Sequence, residues 1–176
     1  MRTSQAPLSA AQRDLVQALA LALLHHLHLP FLNAMTPCTL RRLVYLASFG
    51  HPAAQGVLLS FAQGSDMHGS PDIVSAEVDA VIAELISSGL ARRGEHTDLE
   101  ITEAGRAQAP SDPEFATLAR RISHLTCGYE GPYGSRLLAL ARFQQEALAQ
   151  LENLEPGIAS DHWREMRDRI SEIRAA

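Results

Sequence analysis

Leu85-Ile86-Ser87-Ser88-Gly89-Leu90-Ala91-Arg92-Arg93, followed after a polar gap by Leu99-Glu100-Ile101-Thr102-Glu103-Ala104-Gly105-Arg106, decides the fold of this 176-residue chain. Up to Ile86 the apolar period is helical. Val74, Val78, Val81, Ile82, Leu85 and Ile86 fall on one stripe with 3.6-residue spacing. Beyond Gly89 the period shortens. Residues 90–93 and 98–102 read as two short extended segments joined through Gly94-Glu95-His96-Thr97, a small hairpin. Gly89 lets the chain turn sharply out of the helix, and Leu90 and Ile101 can pack the hairpin onto a core. Gly105 lets the chain enter the next helical turn, which Pro110 ends, without steric conflict.

Working outward, the rest of the chain reads as helix. The first helix spans residues 9 to about 28, with Ser9 as N-cap and Pro30 as stop. Leu15, Leu19, Leu21, Leu23 and Leu24 make it so apolar that it needs cover on two sides, from its own core or from a second subunit. A second helix starts at Thr36-Pro37 and ends at Gly50. A third is expected from about 52 to 63, broken by Gly64-Ser65-Asp66. The fourth, carrying the stripe, opens at Ser70-Pro71-Asp72 or later at Ser75. After the hairpin, Ser111 or Asp112 caps a helix bearing Phe115, Leu118, Ala119, Ile122 and Leu125. A turn cluster at 127–134 leads to a long helix over about 135–152. From Ser160 onward, Trp163, Met166, Ile170 and Ile173 stand at heptad-like spacing, a dimerisation seam.

Three helices, a hairpin and a short helix form the order of a winged helix. The expected fold is therefore mainly α: a winged helix, three helices plus a small β-hairpin, with extra N- and C-terminal helices. The expected division is an N-terminal helix (1–36), a winged-helix unit (37–110) and a C-terminal helical, dimerising region (111–176). The motif quoted first resembles the wing of bacterial regulators of the MarR and PadR families, in which a helix ends "L..GL" and "LTEAGR" follows the wing. That resemblance covers residues 37–109 and implies a DNA-binding transcriptional regulator whose terminal helices build a homodimer. A second stretch, Leu40-Arg41-Arg42-Leu43-Val44-Tyr45-Leu46-Ala47, is similar to the "LQKLVYLA" opening of the Panacea (SocA-like) antitoxin domain. Gly69-Ser70-Pro71 and Ser75-Ala76-Glu77-Val78 echo that family's "GPYS.EV" element. This likeness implies a winged-helix module acting through protein contacts, antitoxin-like or adaptor.

Charge bears on the choice between the two. All 15 basic residues are Arg, against 20 acids, so no polybasic coat for nucleic acid or anionic membrane exists. Residues 37–110 hold five Arg against nine acids, and the fourth helix carries Glu77, Asp79 and Glu84. A DNA contact would rest on Arg92, Arg93 and His96 of the wing, on Ser70 and Ser75 at the helix start, and on the Arg41-Arg42 pair.

Other chemistry lacks a foothold. Cys38 and Cys127 form no CxxC motif and suit a reducing cytoplasm. The eight histidines are scattered without acidic partners, so no metal is expected. There is no nucleophile elbow and no carboxylate pair, so neither an enzyme nor a cofactor is expected. The apolar run near Leu15 is too short to span a bilayer. A cytoplasmic location and double-stranded DNA or a protein as partner complete the expectation.

Overall fold

The computed structural model describes residues 7–27, 35–58, 60–65, 71–94 and 98–127. Over these residues the chain is mainly helical, with two small antiparallel hairpins. In order come α1 (Ala10–His26), α2 (Pro37–Gly50), a 3-10 turn (Pro52–Ala54), α3 (Gln55–Leu58), β1 (Ala62–Ser65) and β2 (Pro71–Val74). Then follow α4 (Ala76–Ser87), β3 (Ala91–Arg93), β4 (Leu99–Ile101), α5 (Glu103–Gln108) and α6 (Pro113–Cys127). The expected seam of Trp163, Met166, Ile170 and Ile173 lies outside the described residues, as do Ser70 and His96.

Local chemistry sets the helix ends. Ser9 and Gln12 close a capping box on α1: the Ser9 hydroxyl accepts from the Gln12 amide, and the Gln12 side chain accepts from the Ser9 amide. Thr36 caps α2, with Pro37 in the first turn. α4 ends in a Schellman motif. The Leu90 amide reaches the Leu85 carbonyl at 2.9 Å, and the Gly89 amide reaches that of Ile86 at 3.1 Å. Gly89 takes φ of 75°, the left-handed conformation that the motif demands. Leu85 and Leu90 are both buried beneath the turn.

The third helix is shorter than its residues suggested. It stops at Leu58, and residues 62–65 and 71–74 pair as a hairpin in which Gln63 opposes Ile73. Gly64 lets the two strands close on each other here. Its missing side chain makes room for the isopropyl group of Val74, which a Cβ at 64 would meet at 2.7 Å. Pro71, with no N–H, stands at the first position of β2, where a ladder tolerates it. Of the two starts considered for the fourth helix, the later is the observed one, with Ser75 as N-cap.

One core runs through α1, α2, α4, the β3–β4 hairpin and α6, from Leu8 to Ile122. It crosses the boundaries expected at 36/37 and 110/111. The apolar α1 finds its cover within the chain: α2, α4 and α6 all pack on it, and Val16, Leu19, Leu21 and Leu23 are at most 1 % exposed. Tyr45 sits fully buried, edge-on to Phe61 with ring centroids 4.9 Å apart, and burial pushes its phenol well above the usual range.

The β3–β4 hairpin is anchored at three points. The Leu99 amide bonds to the Met35 carbonyl at 2.7 Å, so the segment before α2 extends the hairpin. The Thr102 hydroxyl donates within reach of the Gly89 and Leu90 carbonyls at 2.7 and 3.0 Å and accepts from the Gly105 amide. Gly105 brings α5 so close to the Leu90 carbonyl that a Cβ there would overlap the oxygen. The quoted "GL" and "TEAG" strings are therefore two halves of one contact. Gly105→Ala should lower stability by about 3 kcal/mol, the upper end for overpacking. Gly89→Ala, which meets no atom but keeps a positive φ, should cost about 1 kcal/mol. Urea unfolding of the two variants checks both the magnitudes and their order.

Candidate interaction face of α4

The three acids of α4 are not an open negative face. Arg13 of α1 reaches across to two of them, Nη1 to Glu77 at 3.3 Å and Nη2 to Glu84 at 2.6 Å. Their spacing of seven residues, two helical turns, puts both carboxylates on the side of α4 that faces α1. Arg41 of α2 takes the third: its Nη1 lies 3.0 Å from both carboxylate oxygens of Asp79. Its Nε donates to the Ile73 carbonyl at 2.9 Å, and Nη2 contacts the Cys38 sulfur at 3.3 Å. With only 12 % of its side chain exposed, Arg41 is a buried-edge clamp that joins α2, β2 and α4.

The start of α4 is fixed by a directional chain of hydrogen bonds. The Ser60 hydroxyl donates to the Val57 carbonyl at 2.8 Å. That hydrogen is then committed, so Ser75 donates across the 3.0 Å gap between the two hydroxyls. Ser75 in turn accepts from the Val78 amide. Both hydroxyl hydrogens are committed, and both serines are buried.

These contacts place the residues expected to meet DNA. Ser75 is an N-cap with no exposed surface, which leaves nothing of it for a partner to touch in this conformation. Arg41 is spent on α4 and β2 rather than turned to a phosphate. Arg42 is half-buried and has partners of its own. Arg92 is exposed but grips its cross-strand neighbour Glu100, Nε at 2.9 Å and Nη2 at 2.7 Å. Arg93, next along the strand, is exposed. Arg13 is the residue that sequence reasoning missed. Its signal was the one arginine of α1, but only the packing of α1 on α4 names its partners.

What α4 leaves exposed is Ala76, Ala80, Ala83 and Ser87, one ridge along the helix. Glu84 flanks it at 61 % side-chain exposure and Asp79 at 43 %, each already engaged by an arginine. A ridge of three methyl groups and one serine, whose hydroxyl donates to the Glu84 carbonyl, offers no long donor to a guanine edge.

Among the described residues there is no cluster of three metal-ligating side chains, and no helix is long and apolar enough to cross a membrane. The chain matches no protein-family model, no curated protein and no solved structure.

Arg41→Ala should destabilise the chain by about 2 kcal/mol, since it strands Asp79 and the Ile73 carbonyl. Arg13→Ala should cost only about 0.5 kcal/mol, because both its partners are partly solvated, and that loss should shrink in high salt. Chemical unfolding at two ionic strengths separates the two clamps.

Proposed function

We propose that this chain is a winged-helix module that works through protein contact, with the exposed ridge of α4 as its docking face. The order α1, α2, α4, β3, β4, with Met35 bridging to β4, supports the winged-helix reading. On it the three helices are α1, α2 and α4, while α3 and the β1–β2 hairpin form an insertion before the last of them. The observation that carries the functional reading is the state of α4. Its three acids are each engaged from within by Arg13 or Arg41, which leaves one negative charge uncompensated, and its outer surface is Ala76, Ala80, Ala83 and Ser87 flanked by Glu84. Small side chains let another backbone approach closely, whereas reading a base edge calls for long donors. The likeness of residues 40–47 to the Panacea antitoxin domain points the same way.

A second reading, a homodimeric DNA-binding regulator, draws on Arg92 and Arg93, which stand exposed side by side on β3. It would bind mainly through phosphate contacts at the wing.

The two readings differ in solution. On the first, the full chain shows no salt-dependent affinity for duplex DNA at low ionic strength. A protein species from the source cells is retained by the wild type and lost with Ala80→Arg or Ala83→Arg, while both variants keep the wild-type unfolding midpoint. Tight DNA binding would overturn it, if the affinity falls steeply with salt and the salt slope drops by about 2 on removing Arg92 and Arg93 together.

A further inference from the structure

A cleft of about 460 Å³ lies between the last turn of α1, the β3–β4 hairpin and α5, away from the α4 ridge. Its volume falls within the range of small-molecule sites. Its lining is mainly polar, His25 and Thr102 included, and its apolar part is Leu24 with the largely covered Leu99 and Ile101. Four charged groups of the hairpin and α5 border it, and they divide into two kinds. Arg92 and Glu100 satisfy each other. Glu103 and Arg106 stand one turn apart on α5, both exposed, yet the side chain of neither has an ion pair or hydrogen bond among the described residues. The α5 dipole accounts for an acid in its first turn and a base in its last. It does not supply either with a hydrogen-bond partner.

We infer that this cleft takes a dipolar ligand, a free α-amino acid with an apolar side chain. Its carboxylate would pair with the Arg106 guanidinium and its ammonium with the Glu103 carboxylate. Its side chain would lie against Leu24, Leu99 and Ile101. The chemistry selects the class. A simple anion would satisfy Arg106 but face Glu103 uncompensated, and a simple cation would do the reverse. A molecule carrying both charges on one carbon answers both, and removal of apolar surface from water adds to the binding. Such a ligand would touch α1, β4 and α5 at once, and so brace the hairpin against the helical core.

Calorimetric titration of the full chain with L-leucine and L-phenylalanine tests this. Saturable binding at millimolar concentration or tighter is expected. 4-Methylpentanoate, which lacks the ammonium, and 3-methylbutylamine, which lacks the carboxylate, should each bind about tenfold or more weaker, the loss of one charge-assisted hydrogen bond. Arg106→Ala and Glu103→Gln should each produce a comparable loss. Both residues are exposed, so the variants should keep the wild-type circular dichroism and unfolding midpoint. Three results would overturn the inference: no heat of binding with either amino acid, equal binding of a singly charged analogue, or unchanged affinity in both variants.

Discussion

The closest constraint in this molecule is the approach of α5 to the backbone at Leu90. A helix can lie against that carbonyl only if residue 105 has no side chain, and the adjoining hydroxyl of Thr102 holds both pieces of chain together. From this contact the direction of the β3–β4 hairpin follows, since its two strands leave from Leu90 and return at Thr102. The Schellman turn at Gly89 aims the outgoing strand, and the Met35 carbonyl receives the returning one. α4 is thereby set relative to α1 and α2, and the arginine clamps act on an element already in place.

Much of this was legible because it is local. The caps at Ser9, Thr36 and Ser75, the stripe on α4, the stop at Gly89 and the strands beside Arg92 and Leu99 are all written in runs of a few residues, where spacing and residue type suffice. The β1–β2 hairpin was not. Its residues contain no alternating apolar pattern, and the reason Gly64 belongs in a strand is the bulk of Val74, ten positions away. Helix and strand cannot be told apart over so short a segment without that partner. The place of α1 was half legible. Its composition demanded two-sided cover, but composition cannot say whether the cover comes from the same chain.

The candidate face of α4 illustrates a different limit. Counting charges along the sequence marks Glu77, Asp79 and Glu84 as a repulsive surface and Arg41 as a free cation. In the folded chain the same four groups, with Arg13, pair across three helices and leave a residual charge of one acid. Net charge per segment is a sum over residues, whereas a partner meets the field left after internal pairing. The surplus that composition assigns to α4 is therefore largely engaged inside the protein, and what remains outside is a row of small side chains flanked by Glu84 and Asp79.

The bond between the Leu99 amide and the Met35 carbonyl carries a further consequence. It joins the hairpin to the stretch that connects α1 with α2, so the hairpin is not a flap hinged at one end. Peeling it away breaks a backbone bond on the far side of the sheet and uncovers Leu99 and Ile101, which belong to the same core as α1. Local opening and opening of the helical core are thus one event. In amide exchange, the Leu99 and Thr102 N–H groups would report the stability of the whole unit and not the looseness of a loop.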